Sequence, residues 1–204
     1  EVITGFGRTG KNFAVDHFGV VPDLISVAKG LGGGYVPIGA VIAHKKVTDA
    51  FEAGSKNLMH SFTFAGNPMV CAGASAVLTY TVEHNLVQRA AVEGEIFLKK
   101  LKKALAELDI VGDIRGIGML LGIELVRDQK TKEPFAPALN VSGFVGNYCF
   151  EHGLLIASGV IGTADGISGE ALQISPTLIL TEEEMDFAAK ILKEALTEAT
   201  RRFR

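Results

Sequence analysis

The sequence lacks the features of a metal-binding or disulfide-rich protein. It has two cysteines, Cys71 and Cys149, without metal-type spacing, and its five histidines are scattered without an HExxH pair. We therefore expect no metal site. We also expect both thiols to be reduced, as is usual for a cytoplasmic protein.

Long apolar runs and an excess of positive charge are also missing. No run reaches the length that spans a bilayer, no signal-peptide pattern opens the chain, and the net charge is -3. These absences argue against a membrane protein. They also argue against nucleic acid as a partner, because phosphate binding usually rests on clustered Lys and Arg. The 204 residues are 48% hydrophobic and 21% charged, which is typical of a globular protein.

An initial methionine is missing as well. The chain starts at Glu1, inside what looks like the end of a strand over residues 1–4. We therefore expect a fragment, or a protein whose N-terminal part lies elsewhere.

Residues 1–66 are rich in glycine and indicate short strands and loops. Residues 23–28 are mostly apolar, which favours a buried strand of a parallel sheet. Asn67 and Pro68 are typical of a helix start. This helix is predicted to reach about residue 84 and to be buried, because its apolar residues lie nearly all round it.

A second helix is predicted over residues 86–108. Its predicted buried face consists of Ala90, Phe97, Leu101, Leu105 and Leu108. Farther along, strands and helices alternate: strands are predicted over residues 118–126, 154–157 and 171–175, and helices over residues 140–151 and after the capping box at Thr181 to Glu184. The change of pattern places a domain boundary within the second helix, giving domains of residues 1–97 and 98–204.

Residues 5–12 match two nucleotide-binding motifs, GxGxxG and GxxxxGK. Asn12 stands where a phosphate-binding loop needs Ser or Thr, and asparagine lacks the hydroxyl that binds magnesium. Both motifs also need a following helix, but Gly19 and Pro22 come too soon for one. We therefore expect no nucleotide site in this segment.

Lys29 follows the apolar run and precedes four glycines within five residues. The carboxyl end of a parallel strand is where open α/β sheets bind ligands. Partial burial there would favour the neutral amine that forms a Schiff base, and the glycines would let a flat cofactor approach the backbone. The other interpretation is a solvated lysine beside a plain glycine turn, and the spacing alone leaves both open.

Ser61 and Thr63 lie in a polar stretch just before the predicted helix start at Asn67. They are either donors to a phosphate group or residues that satisfy local backbone groups. The chemistry of the residues leaves these two interpretations open.

Taken together, these segments resemble the class III aminotransferases. The likeness rests on several motifs in the same order and spacing, which is more specific than any single motif. They are residues 1–10 (EVITGFGRTG), 22–25 (PDLI), 28–34 (AKGLGGG), 37–40 (PIGA), Thr63 with residues 66–68 (GNP), 115–118 (RGIG), 122–125 (GIEL) and Pro176. The resemblance therefore covers essentially the whole chain.

The resemblance implies an α/β fold of fold type I, with part of the mixed sheet of a large domain followed by a C-terminal α+β small domain. It implies pyridoxal 5'-phosphate as cofactor, held as a Schiff base on Lys29, which would also move the proton during catalysis. Thr63 matches the threonine that binds the cofactor phosphate of the neighbouring subunit, with Phe62 beside it. The active site would then be shared across a homodimer or higher oligomer.

Two departures limit what the resemblance implies. The family's aspartate that keeps the cofactor ring nitrogen protonated would immediately precede Glu1, and the glycine-rich phosphate loop would come from an N-terminal half. Because this chain contains neither, we expect it to be a poor enzyme or none by itself.

Gln173 bears on the substrate. Many relatives that bind α-carboxylates have an arginine shortly before the prolines near the C-terminal strand, and in this sequence Gln173 stands at that place. Arginine forms a bidentate pair with a carboxylate, whereas the neutral amide of glutamine cannot. We therefore expect amino transfer from an amine or ω-amino acid to a keto acid such as pyruvate. The alternatives are a mutase or decarboxylase of the same family, which would share Lys29, and a non-catalytic remnant that binds a partner or stabilises an oligomer.

Overall fold

The structure is a computed structural model that describes residues 1–54, 57–157 and 159–204. Its packing divides the chain into two compact units, Glu1–Ala90 and Ala91–Arg204. The boundary between them falls within one helix, Leu86–Leu105, which is labelled α3 below. The sequence-based division after residue 97 lies in the same helix and stays a prediction.

The first unit combines short strands, 3₁₀ turns and helices. Its elements are the 3₁₀ turn Ala14–His17, strand β1 (Leu24–Val27), the 3₁₀ turn Lys29–Leu31, strand β2 (Ala40–Ala43), helix α1 (Lys45–Ala53), helix α2 (Pro68–Glu83) and the start of α3. Strands β1 and β2 form a two-stranded antiparallel sheet, in which Leu24 pairs with Ala43 and Val27 with Ala40.

The expectation of a buried parallel strand over residues 23–28 is wrong. Strand β1 is four residues long, pairs antiparallel with β2 and fully buries only Val27. Leu24 of β1 and Ile42 of β2 remain exposed. An apolar run predicts a strand, but it carries no information about the direction of the strand that pairs with it.

Residues 1–4 form turns rather than the end of a strand. The Glu1 carboxylate accepts hydrogen bonds from the N–H groups of Ala14 (3.1 Å) and Val15 (2.9 Å) and from the Thr4 hydroxyl. Burial raises the pKa of Glu1, but these hydrogen bonds favour the charged form, so its pKa lies below the ordinary value. Such local bonds from a side chain compete with strand pairing.

Helix α2 has the predicted start and end, with Asn67 as its N-cap. The prediction that it is buried on nearly all sides is wrong, because Ala74 is its one fully buried residue while Met69 is 82% and Val82 73% exposed. The sequence pattern predicts where the helix lies but not how much of it is buried, because the described part of the first unit covers only one side of α2.

The second unit contains a four-stranded sheet and three helices within the described residues. After α3 its elements are strands β3 (Val111–Ile117) and β4 (Leu120–Leu125), the 3₁₀ turn Pro137–Leu139, helix α4 (Val141–Glu151), strands β5 (Val160–Ile161) and β6 (Glu170–Ile174), and helix α5 (Glu182–Phe203). The sheet has the order β3-β4-β6-β5 with antiparallel pairing throughout, and α4 packs on β6 and on α5.

Several predictions for this unit are confirmed. Strands β4 and β6 and helices α3, α4 and α5 lie where the pattern placed them, and Thr181 and Glu184 form the predicted capping box. Four of the five side chains predicted to be buried on this helix are buried, and Phe97, Leu101 and Leu105 are at most 1% exposed. The fifth prediction is wrong, because α3 ends at Leu105 and Leu108 lies beyond it, only partly buried.

Two features differ from the sequence-based expectation. Residues 154–157 are not a strand; they run without regular structure after the left-handed Gly153. Strand β3 was not predicted, because glycines and charged residues interrupt its apolar pattern. It pairs antiparallel with β4. Arg115 on β3 donates to the carboxylates of Asp113 on the same strand and Glu124 on β4, at 2.8 Å each.

We expect Leu101→Ala to lower the free energy of unfolding by about 2–5 kcal/mol, because it leaves a cavity at a fully buried position of α3. Urea unfolding followed by circular dichroism measures this. Val92→Ala on the same helix, where the side chain is half exposed, is the matched control and should change stability by less than about 0.5 kcal/mol. Equal losses in both variants would contradict the described packing.

Candidate functional site

Lys29 has an unusual backbone conformation for a residue with a side chain. It opens the 3₁₀ turn Lys29–Leu31 with φ at +43°, in the left-handed region. This conformation costs a non-glycine residue about 1–2 kcal/mol and is found preferentially at functional sites. The sequence gives no sign of it, since the glycines that tolerate such angles come after Lys29 rather than at it.

The turn at Lys29 is held by the backbone and by a small apolar cluster. The Lys29 carbonyl oxygen accepts from the N–H groups of Gly32 and Gly33, both at 3.0 Å. Val27 and Leu31, on either side of Lys29, are buried with Ala74 of α2 in the apolar cluster of the first unit. The backbone on both sides of Lys29 is therefore anchored to α2.

Gly32 is required where the chain leaves this turn. A Cβ atom at Gly32 would collide with the carbonyl oxygen of Val36, so only glycine fits the observed path. Val36 and Ile38 themselves pack against the apolar cluster as partly buried residues. The glycine-rich segment after Lys29 thus serves the close packing of the turn.

The Lys29 side chain is exposed, so the expectation of partial burial is wrong for this chain. The cluster covers the inner side of the turn, while the described residues leave the outer side open. Among them, no hydrogen bond or ion pair engages the Lys29 amine. The amine is therefore accessible to a ligand.

The segment with the two nucleotide-type motifs packs beside this turn. A Cβ atom on Gly30 would lie 3.3 Å from the Gly5 carbonyl oxygen, and Phe6 packs against the apolar cluster. The helical element that follows is the four-residue turn Ala14–His17, too short to present a helix N-terminus to phosphate. Residues 5–12 therefore support the Lys29 turn from one side.

Phe62 and Thr63 lie in the loop that enters α2. Phe62 is 64% exposed, and Thr63 is exposed with a hydroxyl that has no hydrogen-bond partner among the described residues. The loop closes through a 2.9 Å bond from the Ala65 N–H to the Phe62 carbonyl oxygen. Asn67 then caps α2 by accepting from Met69 at 3.0 Å and Val70 at 3.2 Å. Lys29, Phe62 and Thr63 thus belong to one unit.

Gln173 belongs to the second unit, where it lies on β6 and is partly buried. It lines a pocket of about 330 Å³. Most of the other lining residues are apolar, among them residues 154–157, Ile174 and Leu180. Its amide nitrogen is 3.5 Å from the Ser175 hydroxyl. No arginine or lysine lines this pocket in the described part of the chain.

Within the described ranges, no group of three or more His, Cys, Asp or Glu side chains is arranged to hold a metal ion. The described helices are also too short or too polar to cross a membrane.

Comparison with known proteins gives a consistent family likeness. The model of the aminotransferase class-III family matches residues 1–196. The uncharacterized aminotransferase YodT of Bacillus subtilis is 35% identical over 96% of this chain and 44% of its own length. A leucine/methionine racemase of Thermococcus litoralis is 38% identical over 97% of this chain and 41% of its own length.

A solved structure agrees with the sequence relatives. The PLP-bound amine transaminase of an uncultivated Pseudomonas species has a TM-score of 0.84 and 32% identity, over 100% of this chain and 44% of that one. The predicted α/β fold of fold type I is confirmed by this likeness. The chain spans less than half the length of the relatives that it matches.

We expect Asn67→Ala to reduce the free energy of unfolding by about 1 kcal/mol, because the first turn of α2 loses its side-chain acceptor. Asn67→Asp keeps an oxygen at the same place and should retain most of the stability. Urea unfolding of the three proteins measures the difference. A loss in the aspartate variant as large as in the alanine variant would contradict the capping role.

Proposed function

Because the chain belongs to the class-III aminotransferase family, we propose that it forms the part of an aminotransferase that binds pyridoxal 5'-phosphate covalently through Lys29. The observation that carries this proposal is the Lys29 turn. It combines an accessible, unengaged amine with a left-handed backbone that glycines and a buried apolar cluster hold in place.

The side chains present fit the chemical groups of this cofactor. An accessible primary amine suits its aldehyde, and the unengaged Thr63 hydroxyl suits its phosphate. When bound, pyridoxal phosphate supplies an electron sink for the substrate carbon that loses its proton. The PLP-bound Pseudomonas transaminase, with the same fold over this whole chain, supports the assignment.

Lys29 would have a second task after substrate has displaced its amine. The free Nζ would take the proton from the substrate carbon and return it to a different atom, as a general acid and base. Such transfer depends on a base held near one position. The anchoring of Val27 and Leu31 beneath the turn meets that need, because it restricts the lysine backbone on both sides.

The proposed reaction is amino transfer from an amine or ω-amino acid to a keto acid such as pyruvate. The pocket around Gln173 supports this choice, because it is mainly apolar and offers a neutral amide in place of a cation for a carboxylate. The racemase among the relatives shows that a similar chain serves another reaction. Dependence of turnover on a keto-acid acceptor separates amino transfer from racemisation, mutase and decarboxylase chemistry.

We further propose that the protein acts in the cytoplasm as a homodimer or higher oligomer in which Thr63 binds the cofactor phosphate of the neighbouring subunit. Exposure of apolar side chains around Thr63 supports this arrangement. Met59, Phe62 and Phe64 are each more than half exposed, as is Met69 at the start of α2. Apolar surface of this kind marks protein–protein contact.

We expect Lys29→Ala to abolish the visible absorbance band that wild-type protein forms with pyridoxal phosphate. Circular dichroism should remain unchanged, because alanine adopts the left-handed angle no less easily than lysine and the buried cluster is untouched. Lys45→Ala, an exposed lysine of α1, is the control that should keep the band. A persistent band in Lys29→Ala would refute the proposal.

We expect Thr63→Ala to weaken cofactor binding by about 1–3 kcal/mol, the scale of one hydrogen bond to a charged group. Thr63→Ser retains the hydroxyl and should bind nearly as well as wild type. Equilibrium dialysis with pyridoxal phosphate, on the oligomer, measures both. Equal affinity in all three proteins would count against a phosphate contact at Thr63.

We expect Gln173→Arg to raise the preference for donors with an α-carboxylate by about tenfold, because a guanidinium pairs with a carboxylate through two hydrogen bonds. Gln173→Glu carries the opposite charge and should lower that preference. Ratios of kcat/KM for an α-amino acid and a simple amine measure this, on the chain supplied with the N-terminal portion that its longer relatives possess. Unchanged ratios would place the substrate carboxylate elsewhere.

A further inference from the structure

Glu170 on β6 is a buried carboxylate that the proposed chemistry does not use. It is 2% exposed, and its two oxygens accept the N–H groups of Val141 (3.1 Å) and Ser142 (2.6 Å), the first two residues of α4. These N–H groups have no acceptor inside the helix, and the Asn140 side chain does not cap them. A negative charge is also favourable at this helix end. Glu170 therefore caps α4 from a different element.

Helix α4 leads directly into one wall of the Gln173 pocket. Residues 154–157 line that pocket, and the Leu154 N–H donates to the Cys149 carbonyl oxygen at 2.8 Å, which ties the start of this segment to α4. Gln173 follows Glu170 by three residues on β6. Glu170 thus links β6, which carries Gln173, to α4, whose C-terminal end leads into residues 154–157.

The chain beyond residues 154–157 is held at the N-terminal end of α4. A Cβ atom on Gly159 would collide with the Ser142 side chain, so the Gly159 backbone lies directly against the residue that Glu170 binds. The next residue but one, Ile161, pairs with Glu170 itself in the sheet. The chain between α4 and β5 is therefore held at both ends of this helix: Leu154 at Cys149 in its last turn, and Gly159 at Ser142 in its first turn, where Glu170 binds.

We infer that Glu170 is a positioning residue for the substrate pocket: by capping α4 from β6, it sets the distance between residues 154–157 and Gln173. The assignment of this pocket to substrate rests on the proposed function. The structural role of Glu170 does not rest on the proposed function, because the cap, the Leu154 hydrogen bond and the Gly159 contact all lie within the second unit.

The first test is hydrogen exchange, measured by mass spectrometry on the 204-residue chain. Glu170→Gln keeps the size of the side chain but turns an N–H donor toward an N–H donor, so one cap bond is lost. We expect the Leu154 amide to exchange about tenfold faster. Gly159→Ala should affect the same amide, because its methyl group displaces Ser142.

Asp128→Ala, which removes the acceptor of two backbone N–H groups, is the control. Asp128 also accepts two backbone N–H groups, from Lys130 and Thr131 at 2.8 Å each, but in an exposed loop that does not line the pocket. It should leave the exchange of Leu154 at the wild-type rate. Faster exchange in this variant too would mean a general loss of stability and would overturn the inference.

The second test is steady-state kinetics with pyridoxal phosphate, on the chain supplied with the N-terminal portion of its longer relatives. We expect Glu170→Gln to raise KM for the amine donor about threefold to tenfold with kcat within about twofold of wild type. An unchanged KM, or exchange changes confined to the first turn of α4, would overturn the positioning role. If wild type transfers no amino group, the proposed function fails instead, and hydrogen exchange alone decides the part of Glu170.

Discussion

The contact between Val27, Leu31 and Ala74 is the constraint on which the candidate site depends. It buries the residues on either side of Lys29 against α2. The lysine backbone is therefore held in place, while its side chain remains exposed. The left-handed backbone angle at Lys29 costs about 1–2 kcal/mol, and it persists because the surrounding contacts stabilise the turn by more than this cost. The glycines at positions 30 and 32 allow the neighbouring backbone to close around the turn.

The two units differ in how completely they bury their apolar residues. The second unit places fully buried side chains on α3, on its sheet and along one face of α5. In the first unit, the loop before α2 and the strands β1 and β2 leave apolar side chains exposed. These exposed apolar side chains lie in the same unit as the residues proposed to bind cofactor.

Local signals in the sequence predicted most of the helices and the likeness predicted the fold, but neither predicted the conformation of the site. The caps at Asn67 and Thr181 act through hydrogen bonds within three residues, so sequence spacing reveals them. The antiparallel pairing of β1, the exposure of α2 and the left-handed angle at Lys29 depend on residues distant in sequence. The same holds for Glu170, which caps a helix that begins 29 residues before it, and no local motif marks such a contact.

The most direct test of the account is to treat the chain with pyridoxal phosphate, reduce it with borohydride and map the modified peptide by mass spectrometry. We expect a single major label on Lys29, because its amine is accessible and the buried residues on either side hold its backbone in one conformation. Label distributed over several surface lysines, with no preference for Lys29, would contradict the claim that this turn is the cofactor attachment site.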